Sequence, residues 1–171
     1  MSRRISLREF QENLAKRLAE AKTGERRGLL GFQAGGMNCL IDLAESGEIL
    51  PPPPLSPVPL TQPWYLGLAN VRGTLYGVID FALFNHNPPT VPSGAARLLL
   101  VGARHGVHCA LLVSRIAGLR SHDDFEAEPD ATPDARPWVT HRLRDLQGRP
   151  WLQLDASVLL AQADFLDASL E

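Results

Sequence analysis

The segment "ILPPPPLSPVPLTQPW", residues 49–64, carries seven prolines between positions 51 and 63, and no other stretch restricts the chain more. Proline fixes φ near about −65° and offers no amide donor, so the segment is excluded from helix interiors and from the middle of a sheet. It has to run as an extended, polyproline-like connection over the surface. Such a composition also suits an SH3 ligand, but the closely flanking strands and the lack of an Arg or Lys anchor favour a connection. Everything on either side must then be built from short elements.

On the N-terminal side, "GLLGFQ" and "MNCLIDLAE" flank Ala34-Gly35-Gly36, the pattern of a hairpin. On the C-terminal side, strands are expected over about 64–84, followed by a polar loop and the hairpin "ARLLLVGARHGVHCALLVSRIAGL" turning at Arg104-His105-Gly106. The acidic stretch "SHDDFEAEPDATPDARP" reads as a long loop, then strands at 138–144 and 150–155, then a closing helix "DASVLLAQADFL" capped by Asp155 or Ser157. Ahead of all this, Ser6 and Glu9 form a capping-box pair, and Leu7, Phe10, Leu14 and Leu18 recur at helical steps until Gly24. The narrow apolar stripe suits packing on its own domain or docking on a partner.

Many short strands with helices only at the ends indicate small barrels. The expected organisation is a helical extension over 1–24 and one domain over 25–171. That domain divides into half-barrels of about 34–95 and of 25–33 plus 96–157, with the C-terminal helix last.

At 171 residues the chain buries a sizeable core without staples. Cys39 and Cys109 are far apart in apolar runs, which suits buried thiols in a reducing cytoplasm. Residues 1–27 carry a net +4 and residues 28–171 a net −6, and a mildly acidic body argues against general nucleic-acid binding. No apolar run is long and uncharged enough for a signal peptide or a membrane span, so no membrane insertion is expected.

A search for reacting groups finds no assembled set. "GFQAGG" lacks the Gly-Lys-Ser/Thr of a phosphate loop, and no serine lies in a Gly-x-Ser-x-Gly elbow. His105, His108 and Cys109 straddle a turn and alternate along a strand, so they do not converge on a metal. His122-Asp123-Asp124 matches no calcium loop. No cofactor, metal or catalytic residue is expected, which leaves a binding module. Within "WYLGLANVRGTLYGVIDF", residues 64–81, Arg72 is the single cation in a nearly uncharged segment. Read as one strand, its same-side neighbours are Asn70, Thr74, Tyr76 and Val78, a sparse face for a guanidinium.

These residues carry a family likeness. "LLGFQAGGMNCLIDLAESGEIL", "VPLTQPWYLGLANVRG", "TLYGVIDF", the "ARLLLVGARHGVHCALLVSRIAGL" hairpin and "WLQLDASVLL" together resemble the CheW-like adaptors of bacterial chemosensory systems over about residues 28–161. The Asn-x-Arg-Gly core, with Pro63 and Gly67 before it and Asp80 after it, is the most specific part. The N-terminal helix and the lead into "LANVRG" are similar to the PilI-like branch linked to type IV pilus twitching motility.

The resemblance implies a mainly β fold of two packed five-stranded SH3-like barrels. It implies no enzymatic activity, and a cytoplasmic adaptor recruited to membrane-associated receptor arrays. Its partners would be the regulatory domain of a CheA-type histidine kinase and the cytoplasmic tip of methyl-accepting receptors. Arg72 would be the family's receptor-contact arginine, Glu48 its acidic strand-end residue, and Asn70 and Gly73 the turn that presents Arg72. Three positions depart from the family pattern: Gly77 stands for a proline, Ala110 for a small residue opening a strand, and Ser114 for an aspartate. The alternatives are a CheW-like structural or regulatory domain without receptor coupling, or a flagellar output. For Arg72 itself, the competing role is a surface pair with Glu48 or Asp80, worth about 0–1 kcal/mol, against about 2 kcal/mol or more at the centre of an interface.

Overall fold

The structure, a computed structural model, describes residues 6–15 and 28–169, with Leu166 described by its backbone alone. Eleven strands among these residues form two sheets. One holds β1 (Leu29–Ala34), β2 (Met37–Asp42), β8 (Arg115–Arg120), β9 (Phe125–Ala127), β10 (Val139–Asp145) and β11 (Pro150–Leu154), in the order β8-β1-β2-β11-β10-β9. The other holds β3 (Ser46–Leu50), β4 (Tyr65–Val71), β5 (Thr74–Asp80), β6 (Arg97–Val101) and β7 (Cys109–Val113), in the order β3-β6-β7-β5-β4. The short helices are α1 (residues 7–15), α2 (Phe81–Phe84), α3 (Ala156–Leu160) and α4 (Ala163–Leu166).

Each sheet curls over a small core of its own. Val78, Leu98, Ala69 and Ala110 fill the five-stranded sheet, and Leu29, Leu40 and Trp151 fill the six-stranded one. The largest cluster lies between the sheets, where Phe32 and Ile41 meet Leu99, Leu111 and Phe81. Strands β1, β6 and β7 are therefore covered on both faces, which is why they read as unbroken apolar runs such as "LLLV" and "CALLV" instead of alternating.

The expected mainly β fold is the observed one, but the residues divide differently from the expected 34–95 against 25–33 plus 96–157. The five-stranded sheet is one continuous segment, 46–113, while the other is assembled from 29–42 and 115–154. β2 stays with β1 because a two-residue turn joins them with Ala34 opposite Met37. β7 lies parallel to β5, which keeps β6 and β7 with the middle of the chain. The change of sheet falls at Ser114, whose amide donates to Gln33 O at 2.8 Å as the chain leaves β7 for β8.

Other elements also differ from expectation. Residues 81–84 are helix, not the end of a strand, because Asp80 caps them: its Oδ1 accepts from Ala82 N at 3.1 Å and Leu83 N at 3.4 Å. The acidic segment contains β9, a sixth strand beyond the five expected; it pairs with β10, and its Phe125 packs edge-on against Trp151 at 5.4 Å. The closing helix is two single turns, α3 and α4, separated at Ala161-Gln162, with Asp155 as the cap of α3. In α1 the Ser6–Glu9 capping box is formed, yet Leu7, Phe10 and Leu14 are 73, 57 and 48 % exposed. The expected boundary at Gly24, and Leu18 of the stripe, lie outside the described residues.

Candidate functional site

β4 and β5 run antiparallel with Val71 opposite Thr74, so Arg72 and Gly73 form the two-residue turn between them. Arg72 has φ 50° and Gly73 φ 85°, both left-handed, as a primed hairpin turn requires. Glycine meets that requirement without strain, whereas an arginine there costs about 1–2 kcal/mol. Asn70 offsets part of this cost, because its Oδ1 accepts from Gly73 N at 2.8 Å and locks the turn from inside the hairpin. The chain therefore reverses at Arg72, and the guanidinium sits at a tip instead of sharing a strand face with Thr74, Tyr76 and Val78.

The side chain of Arg72 is 75 % exposed and pairs with the Glu48 carboxylate. Glu48 lies on β3, at the far edge of the same sheet, so the pair spans the seam where the sheet closes on itself. Backbone completes the seam nearby: Ser56 and Leu68 exchange hydrogen bonds of 2.8 and 2.9 Å. The proline-rich segment thus closes the barrel instead of only crossing the surface. Gly67 makes this contact fit, since a Cβ there would stand 2.3 Å from Ser56 O.

Two exposed apolar residues lie close along the chain to the charged pair. Ile49 follows Glu48, Leu75 sits opposite Asn70, and they are 38 and 55 % exposed. The site thus offers a cation, a carboxylate and exposed hydrocarbon within one seam, which suits recognition of a partner surface that is both polar and apolar. The structure brings Glu48, Asn70, Arg72 and Gly73 together. Asp80 does not join them: it is buried at the other end of β5, where besides capping α2 it accepts from Thr90 N and Oγ1 at 2.9 and 2.7 Å. Ile49 and Leu75 escaped the sequence reading, although the alternation in "TLYGVID" put Leu75 on the face opposite Tyr76 and Val78.

Two of the three departures from the family pattern, Ala110 and Gly77, have packing explanations, and nothing in the structure explains the serine at 114. Ala110 is fully buried in the five-stranded core. Gly77 lies beneath Tyr65, whose hydroxyl would be 2.8 Å from an added Cβ. Ser114 is the residue at which the chain changes sheet.

The groups considered for metal binding are engaged elsewhere. His105 Nε2 lies 2.9 Å from Glu45 Oε2, and Cys109 is buried with its thiol 3.6 Å from Val101 O. No group of three potential ligands occurs among the described residues. Burial pushes both Cys39 and Cys109 up to about 12, which leaves them as inert thiols.

A family profile for the CheW-like domain matches residues 28–164. The chain belongs to the CheW-like family. A CheW-like protein is a signalling scaffold and not an enzyme. The chain is 29 % identical to Protein PilI of Pseudomonas aeruginosa over 147 residues, covering 82 % of this chain and 79 % of that one. In three dimensions it matches the scaffolding protein TtCheW from Thermoanaerobacter tengcongensis with a TM-score of 0.63 at 16 % identity, covering 78 % of this chain and 92 % of that one. That likeness bears on the fold, and it agrees with the paired sheets described above. No described helix of this CheW-like chain is long and apolar enough to cross a membrane.

Proposed function

We propose that this CheW-like protein is a cytoplasmic adaptor that couples methyl-accepting chemoreceptors to a CheA-type histidine kinase within a membrane-associated array, with twitching motility as the output. The similarity to PilI supports the pilus-linked output. The observation that carries the receptor contact is Arg72, exposed at a strained turn that Asn70 and Glu48 hold in place. A side chain kept in a left-handed conformation and mostly in solvent contributes little to its own fold, so its placement is best explained by what it presents to a partner. The adaptor works by binding alone: a receptor tip and a kinase domain occupy different faces, and coupling arises when one contact favours one kinase state.

The test is a pair of titrations on wild type and Arg72→Glu, one with a receptor signalling fragment and one with the kinase regulatory domain, alongside a melting curve. Reversing an exposed charge should destabilise the monomer by about 1 kcal/mol or less. Receptor affinity should fall by about tenfold to a thousandfold, because a desolvated acceptor on the receptor would face a carboxylate. Kinase affinity should change far less. Equal losses for both partners would exclude a receptor-specific role, and a collapsed melt would make Arg72 a structural residue.

A further inference from the structure

Away from the Arg72 seam, a cavity of about 300 Å³ opens where α4 packs across the joint between the two sheets. Its walls are aromatic. Phe84 at the end of α2 stands between Trp64, 5.1 Å away and nearly perpendicular, and Trp138, 5.4 Å away and tilted by 41°. Its rim holds two carboxylates, Asp164 on α4 and Asp167 just after it, against one imidazole, His86, with Gln62 and Gln162 between them. The rim is also fixed: Gln62 N donates to Ala168 O at 2.7 Å, and Gln62 Nε2 donates to Ser169 O at 3.2 Å. Asp167 Oδ1 accepts from Ser169, and Asp164 accepts no hydrogen bond from any described residue.

From this arrangement we infer that the cavity binds an organic cation, a guanidinium or alkylammonium group, with Trp64, Phe84 and Trp138 as the aromatic box and Asp164 and Asp167 as counter-charges. Aromatic faces carry negative quadrupole density and attract a cation that is shielded from water. Carboxylates at the mouth add Coulombic attraction and repel anions, whereas a neutral apolar ligand would gain nothing from them. The long, partly apolar stem of an arginine or lysine would lie against the indoles while its charged head meets the rim.

The proposal is tested by titrating the full chain with three probes: an acetylated, amidated Gly-Arg-Gly peptide, tetramethylammonium, and the same peptide with neutral citrulline in place of arginine. The readout is the indole Nε1–H resonances, with Trp151 as an internal control because it packs inside the six-stranded sheet. The expected result is saturable movement of the Trp64 and Trp138 signals by a cation, with Trp151 unmoved and at least tenfold weaker binding by the citrulline peptide. The double variant Asp164→Asn, Asp167→Asn alters exposed side chains without changing their volume, and it should weaken cation binding at least tenfold with an unchanged melt. Tighter binding of the arginine peptide than of tetramethylammonium identifies a partner's side chain as the source. The reverse order identifies a small free cation, and either order supports the cation chemistry. Equal binding of the citrulline peptide, no saturation by about 10 mM, equal movement of Trp151, or an unaffected double variant overturns it.

Discussion

Gly73 and Gly67 are both left-handed residues on the closing seam, but the seam tolerates substitution at them very differently. Around Gly73, beside Arg72, an added Cβ meets nothing within 4 Å, so Gly73→Ala should cost only the backbone penalty of about 1–2 kcal/mol. At Gly67 the same methyl would stand 2.3 Å from the Ser56 carbonyl with φ 129°, and neither the backbone oxygen nor the proline after it has room to yield. Gly67→Ala should therefore cost about 3 kcal/mol or more, because the Ser56–Leu68 hydrogen bonds have to open. Urea denaturation of the two variants side by side checks the contrast, and equal losses would mean that the seam is held elsewhere. A charge swap separates the roles of the ion pair. Glu48→Arg combined with Arg72→Glu restores opposite charges across the seam, so its melt should lie closer to wild type than that of Arg72→Glu alone. A recovered melt without recovered receptor binding would locate the importance of Arg72 in what it presents.

Among the elements, the loop between β9 and β10 is tied down by Asp134, which accepts from Arg136 Nε at 2.8 Å and Nη2 at 2.9 Å and from Arg142 Nη2 at 2.8 Å. Arg136 also reaches Asn85 Oδ1 at 3.0 Å, so this clasp joins the six-stranded sheet to the end of α2. The Arg136 hydrogen bonds, with those of Arg142, outweigh burial and hold the Asp134 carboxyl well below the usual carboxylate range. A carboxyl lowered in the folded state contributes stability that is complete above its unfolded pKa of about 4 and is lost as the pH falls toward the folded value. Stability of the wild type should therefore decline below about pH 4, and Asp134→Asn should lower it at pH 7 while flattening that acid limb. Denaturation midpoints at pH 7, 5 and 3 measure both effects, and an unchanged slope in the variant would remove Asp134 from the acid response. Deleting residues 1–24 should shift the thermal transition by only a few degrees, on the order of 1 kcal/mol, because the described part of α1 leaves Leu7, Phe10 and Leu14 in solvent. The doubly covered strands were legible because burial on both faces writes itself as continuous hydrocarbon, whereas the turn at Arg72-Gly73 entered only through the family resemblance, since the residues by themselves read as one strand. α2 was not, since "FALF" satisfies helix and strand alike until Asp80 is known to be a cap. β9 was hidden because Phe125 is its one large apolar residue, and its pairing depends on β10, which lies well downstream. For the site, the pairing of Arg72 was readable as far as a choice between Glu48 and Asp80, and the structure selects Glu48, a choice the sequence could not make because it results from two sheet edges closing.

Over the whole molecule, the cluster between the sheets binds the two halves into one cooperative unit. Leu111→Ala, at a fully buried position facing that cluster, should cost about 2–5 kcal/mol and still give a single transition, with near-UV and far-UV melts superimposed. Two separated transitions would show that the halves fold independently. The continuity of 46–113, set between the two pieces of the other sheet, bears on how the chain is made. On the ribosome, the hairpin of β1 and β2 emerges ahead of the other strands but cannot close its sheet, because β11, the parallel neighbour of β2, is synthesised more than a hundred residues later. At about 5–20 residues per second, the open edge of β2 waits several seconds while the entire five-stranded barrel emerges and becomes able to fold. The nascent protein thus passes through a stage in which one finished barrel carries an unsatisfied hairpin, and that hairpin is where a holding chaperone would be expected to bind.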